Sequence, residues 1–297
     1  MTGSVRMVTK LRQYEGMTVT DIGVLPESIE ALRDQAWRRD AVSRIEDRAA
    51  AESFIEGVGF CSALTDRRNP GPSLYIAVCG RRDAHLPRNV QKDPESRLAW
   101  TIKDEVIRSG RIYYAKLARA RTTFIAARLV PYFNALWGVP RNREAEMLSD
   151  GARSVLKVLR HEWEMGTRDL REASGISNRA QFNKAIDELQ KTLKVIPSEV
   201  VYEPGFTYIW SLSEGRFPEE LKRKLSREVA LREIARTYLA GAKLTLPGEL
   251  ARATGLSRAD AGLGNWALVD EGFATRCAPG VYCLSELAEL AQRELKG

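Results

Sequence analysis

Residues 167–193 read TRDLREASGISNRAQFNKAIDELQKTL, and what this stretch folds into decides the rest of the chain. Leu170 and Ala173 are three apart and share one face of a helix, and Gly175 supplies the permissive backbone that ends it. Ser177 is placed to cap a second helix, in which Phe182, Ile186 and Leu189 recur at 3,4 spacing and turn inward. Asn178, Arg179, Gln181, Lys184 and Lys191 are left on the outer face. Such side chains reach phosphates and base edges, and the start of a recognition helix is where helix-turn-helix proteins make those contacts.

Outward from this pair, residues 151–165 read as a preceding helix with Val155, Val158, Leu159 and Trp163 inward. Residues 195–202 and 206–212 read as two strands joined through Pro204 and Gly205, the wing of a winged helix-turn-helix. A shift of 80 residues carries Leu170, Ala173, Gly175 and Ser177 onto Leu250, Ala253, Gly255 and Ser257 without a gap. A second hairpin, around Pro279 and Gly280, follows this copy, and a connecting helix is expected over 226–240. The second copy has Gly262 and Gly264 inside its reading helix and only Arg258, Asp260 and Asn265 as polar readers. Glycine there lowers helix stability but permits close packing, so this copy reads as scaffold or protein surface.

Charge is local. Between residues 67 and 128 there are 14 Lys or Arg against 5 Asp or Glu, a net of +9, while the whole chain carries +7, so the remainder sums to −2. A basic face of this kind fits a polyanionic partner, and a scattered solvated surface is the alternative. The same window holds an apolar run at 74–78, read as a buried strand, a polar loop over 81–95, and a helix with Leu98, Ile102 and Val106 on one face closed by Gly110. Before it, Pro26 opens a charged helix, a second runs over 48–56, and a short strand is expected at 17–19.

Cys61, Cys79, Cys277 and Cys283 are few and lie in apolar surroundings, so reduced thiols are expected, with Cys277 and Cys283 able to face each other across a hairpin. With His85 and His161 as the two histidines, no zinc set assembles, and no phosphate-binding or dinucleotide loop is visible. The expectation is no metal and no cofactor. No apolar run approaches the roughly 20 residues needed to span a bilayer, and the first residues lack the apolar core of a signal peptide, which predicts a cytoplasmic protein without a membrane partner.

Trp100, Lys103 and Asp104, then Tyr113, Tyr114 and Lys116, then Thr123, Phe124 and Ile125, and Pro131, Tyr132 and Phe133 resemble the mid-chain pattern of bacterial winged-helix proteins related to the interstrand-crosslink DNA glycosylases. The segment FIEGVGF at 54–60 and Pro72, Ser73 and Leu74 are also similar to that group. The resemblance implies three tandem winged helices forming a concave, basic surface for DNA. Active glycosylases of that wider family carry two glutamines one apolar residue apart, and no pair of glutamines here is so spaced, so no catalytic residue is carried over. Asp104 and Glu105, beside Trp100, Tyr113 and Tyr114, are the carboxylates of the basic window that could take over the work on water; a surface pair with Lys103 over core aromatics is the plainer reading.

The expected fold is mainly α with small β wings, an α+β chain of tandem winged helix-turn-helix repeats. Its parts are an arm at 1–25, a basic and aromatic region at 26–145 for which a degenerate winged helix is one reading, a winged helix at 146–225 and a C-terminal winged helix at 226–297. The expected function is binding of duplex or damaged DNA in repair, as a monomer. Lys103, Lys116, Arg119 and Arg121 would meet backbone phosphates, and Asn178, Arg179, Gln181 and Lys184 would lie in or near a groove. A glycosylase with a substitute for the glutamine pair, a winged-helix transcriptional regulator and a protein-binding scaffold are the alternatives.

Overall fold

The computed structural model describes residues 25–65, 70–117 and 121–295. Within them one order of elements recurs three times: helix, short strand, helix, helix, two-stranded hairpin. An entry helix, α1 (Glu27–Trp37), precedes the first round. That round comprises α2 (Arg48–Val58), β1 (Phe60–Ser62), α3 (Leu74–Cys79), α4 (Pro94–Ser109), β2 (Ile112–Lys116) and β3 (Thr122–Ala126). A connector of α5 (Val130–Trp137) and the short α6 (Glu144–Met147) leads to the second: α7 (Asp150–Glu162), β4 (Glu164–Gly166), α8 (Thr167–Ala173), α9 (Arg179–Lys191), β5 (Val195–Val201) and β6 (Thr207–Leu212). After the short α10 (Ser213–Arg216) and α11 (Pro218–Lys222) comes the third: α12 (Arg227–Ala242), β7 (Leu244–Thr245), α13 (Glu249–Thr254), α14 (Arg258–Asp270), β8 (Ala274–Ala278) and β9 (Val281–Leu284), closed by α15 (Ala288–Glu294).

Each round builds the same antiparallel sheet. The short strand pairs with the second strand of the hairpin, giving the orders β1-β3-β2, β4-β6-β5 and β7-β9-β8. The chain is therefore helix-rich with small antiparallel sheets, an α+β protein. No helix of the described residues is long and apolar enough to cross a membrane.

The helix starts follow from local chemistry. Asp47, Ser73, Asp93, Ser149, Asn178, Ser226 and Ser257 each accept a hydrogen bond from a backbone N–H in the first turn of the helix that follows. Each cap satisfies a donor that the helix cannot, and contributes about 1 kcal/mol. Residues 74–78 are helical rather than a strand: Ser73 caps α3, Gly80 ends it at φ 62°, and burial of Leu74, Tyr75, Ala77 and Val78 removes the polar face that would have betrayed a helical period. The strand expected at 17–19 lies outside the described residues.

The core is not divided the way the rounds are. Phe60 of β1 packs edge-on against Phe133 at 5.5 Å and stacks on Tyr238 of α12 at 6.2 Å, while Trp37 of α1 lies 6.3 Å from Tyr238. The first and third rounds thus share one hydrophobic cluster. The second has its own, built from Val155, Leu156, Leu159, Leu170, Phe182, Ile186 and Leu189. One expected inward residue is an exception: Trp163 is 68% exposed, at φ 67° where α7 ends; Ala173, three residues from buried Leu170, is also exposed.

Buried polar links join the entry helix to the third round. Arg33 of α1 is 3% exposed; its Nε donates to the Ala242 carbonyl at 2.7 Å and its Nη2 to Glu249 Oε1 at 2.7 Å. Glu249 also accepts from Tyr238 Oη at 2.9 Å and, through Oε2, from the Leu246 N–H at 2.8 Å. In the third round Gly264 lets α14 lie on α12, since a Cβ there would come within 2.6 Å of the Leu231 carbonyl oxygen. Gly262, two residues earlier, meets nothing within 4 Å. The Cys277 and Cys283 thiols face each other across the β8–β9 hairpin, Sγ to Sγ 2.8 Å.

Candidate nucleic-acid interface

The helix pair at 167–193 folds as its spacing predicts, with one correction. Gly175 takes φ 71° after α8, but Asn178 rather than Ser177 caps α9, its Oδ1 accepting from the N–H groups of Ala180 at 2.8 Å and Gln181 at 3.2 Å. In the third round Ser257 is the cap. The second helices therefore begin at Arg179 and Arg258, so the repeat slips by one residue after the glycine instead of continuing without a gap. Asn178 consequently spends its side-chain oxygen on its own helix.

Phe182, Ile186 and Leu189 are buried, which turns Arg179, Gln181, Lys184 and Lys191 to solvent. Among the described residues no carboxylate pairs with Arg179, Lys184 or Lys191. The end of β2 docks beside this face: the Lys116 N–H donates to Gln190 Oε1 at 2.9 Å, and Lys116 Nζ lies 3.0 Å from Asp187 Oδ1. Gln190 is 2% exposed, so the clasp is a built contact between the first hairpin and α9. Lys116, Arg179, Gln181 and Lys184 are thereby gathered on or beside one helix.

The other expected contacts are placed differently. Lys103 is 5% exposed, with its ammonium against Asp104 and 5.7 Å from the ring centroids of both Trp100 and Tyr208. It is an interior cation and does not reach a phosphate at the surface. Arg121 is half-buried and lines a small cavity with Ser62 and Thr123. Arg119 lies outside the described residues. Much of the basic window is neutralised: Arg81 pairs with Glu95 inside it, and acids from outside it reach the rest, Glu27 and Asp34 on Arg82, Glu199 on Arg108, Glu52 on Arg111 and Glu56 on Arg128.

Asp104 is 3% exposed and fully engaged. One oxygen faces Lys103, and the other accepts from the Tyr202 hydroxyl at the end of the β5–β6 hairpin. Burial, together with its hydrogen bond to Asp104, pushes the Tyr202 phenol well up. A carboxylate so enclosed holds a tyrosine in place, and its burial, with each oxygen already partnered, keeps it from solvent water. Above it the hairpin carries an aromatic ladder, Tyr202 to Phe206 at 5.6 Å, Phe206 to Tyr208 at 5.2 Å and Tyr208 to Trp210 at 5.4 Å, with Tyr202 and Phe206 about half exposed. Reading the sequence missed this ladder, although Tyr202 before a Pro-Gly turn and aromatics at the alternate positions 206, 208 and 210 after it were its signal. On α14, the counterpart of α9, Asn265 is buried and Asp260 pairs with Arg227, which leaves Arg258 as the exposed member of the three expected readers, beside exposed Leu263 and Trp266.

Comparison with known proteins agrees with this architecture. Among solved structures, the Streptomyces sahachiroi DNA glycosylase AlkZ is similar in fold, with a TM-score of 0.57 and 13% sequence identity over 89% of this chain and 70% of that one. No curated protein matches the sequence. A family model described as AlkZ related matches residues 45–241, well over half of the chain, and the chain belongs to that AlkZ-related family.

Proposed function

We propose that this chain is a duplex-DNA-binding protein of DNA repair, built as three tandem winged helices whose boundaries follow the three rounds of helix, strand, helix, helix and hairpin. The AlkZ-related family and the fold shared with a DNA glycosylase support the repair context. The observation that carries the reading is the outer face of α9, where Arg179, Lys184 and Lys191 have no acidic partner among the described residues and Lys116 lies alongside. These cations would meet backbone phosphates, with Gln181 the side chain aimed toward a groove. Lys103 has no part in that surface, and Asp104 positions Tyr202.

Electrostatic binding of this kind weakens with salt at about 0.9 decades of affinity per decade of salt for each phosphate neutralised, so three or four contacts predict a slope of roughly −3. Anisotropy titrations of a labelled duplex across a salt series measure it. A slope near zero, or no binding at low salt, overturns the proposal.

A further inference from the structure

Past the last turn of α9 a cleft of about 880 Å³ opens between the two connectors and the second round. Its floor is aliphatic: Val139, Leu156, Leu193 and Leu212 are buried there, and Leu221 and Leu225 are half-buried at its edge. Its rim is cationic. Buried Glu144 takes both Arg160, at 2.8 Å, and Lys194, at 2.6 Å, so two cations share one carboxylate. Arg141, Arg223 and Lys224 are exposed on the rim, and no carboxylate among the described residues pairs with them. Glu214 is the sole acid of the lining.

Two features select the occupant. The surplus of positive charge calls for an anion. The lining has no aromatic ring on which a nucleobase would stack, and its leucines match aliphatic side chains instead. We propose that this cleft docks an acidic amphipathic peptide segment of a partner protein, with its aliphatic side chains on the leucine floor and its carboxylates on Arg141, Arg223 and Lys224. Arg179 and Lys184 belong to the first turns of α9, whereas Lys194 follows its end. At about 1.5 Å per residue Arg179 lies on the order of 20 Å from Lys194, so a bound peptide would leave the start of α9 open to a duplex, with Lys191 the one proposed phosphate contact near the cleft.

Anisotropy of a fluorescein-labelled peptide with leucine at helical spacing and glutamate between tests this on the full chain. Saturable binding is expected, weakened roughly tenfold or more in an Arg223→Glu, Lys224→Glu double variant and unchanged in Lys184→Glu. A peptide of equal composition with its leucines grouped at one end should also bind roughly tenfold more weakly. Both reversed positions are exposed, and thermal melting of the double variant confirms that it folds. Absence of saturable binding overturns the proposal, as does equal weakening by Lys184→Glu. Displacement of the peptide by unlabelled duplex DNA would assign the cleft to nucleic acid instead.

Discussion

Arg33 and Glu249 are 216 residues apart in the chain and form a buried ion pair, Nη2 to Oε1 2.7 Å, with side chains 4% and 2% exposed. Removing one partner leaves the other charge buried and uncompensated, at a cost of about 3–5 kcal/mol. Urea unfolding of Arg33→Met and Glu249→Leu should each show a loss of that size. The double variant should lose less than the sum, because neither charge is stranded.

The two glycines of α14 should respond with opposite sign to alanine. Gly264→Ala forces a methyl toward the Leu231 carbonyl oxygen, at 2.6 Å, and to 3.0 Å from the Ala235 Cβ, and should destabilise by about 1–3 kcal/mol. Gly262→Ala meets nothing and should stabilise by about 0.5–1 kcal/mol through better helix propensity. Equal melting temperatures for the two variants would show that α14 does not pack on α12 as described.

Charge reversal separates surface cations from interior ones. Lys184→Glu should weaken duplex binding and flatten its salt dependence by about one phosphate contact, with stability unchanged to within about 0.5 kcal/mol. Lys103→Met removes the cation facing buried Asp104, so it should lower stability and leave the salt slope as it was. Salt titrations and urea midpoints on the same preparations distinguish the two.

The sequence makes α9 readable and the basic window misleading, for opposite physical reasons. Phe182, Ile186 and Leu189 repeat on one face of a helix with solvent on the other, so local spacing is sufficient to orient Arg179 and Lys184. A charge count over 67–128 cannot register Glu52, Asp187 or Glu199, which fold back onto Arg111, Lys116 and Arg108 from outside the window. Lys103 was legible in principle: Ala99, Ile102, Lys103 and Val106 stand at i, i+3, i+4 and i+7, which places the lysine on the buried face. Ser177 and Asn178 are both competent caps, and the local sequence does not choose between them.

Burial alone would raise the Glu144 carboxyl, but hydrogen bonds from Lys194 and Arg160 outweigh it and hold it below the usual carboxylate range. A depressed carboxyl contributes stability that is present above its unfolded value and lost as pH falls through its folded one. The chain should therefore lose stability on acidification below the ordinary carboxylate range, and Glu144→Gln should reduce that dependence. Urea midpoints measured through the acid range check it.

Hydrogen bonding between the facing thiols pushes Cys277 up and draws Cys283 down. One thiolate of the pair attacks diamide, and the other thiol then displaces the hydrazine adduct to close a disulfide, the two electrons and two protons ending on the reagent. Intact-mass measurement should show loss of two hydrogens, reversed by dithiothreitol and absent in Cys277→Ser.

The cluster shared by Phe60 and Tyr238 also fixes the order in which the protein can be made. On a ribosome the first round emerges early, yet its hydrophobic cluster lacks Leu231, Ile234, Tyr238 and Leu239 until α12 has left the exit tunnel. The cluster of the second round spans 139–212 and can close before its predecessor does, with Leu193, Ile196 and Val200 left for the shared one. The first round must wait for a helix of the third. Over that interval its apolar faces stand open, and the stretch beginning at Arg48 is where a chaperone would have most to cover.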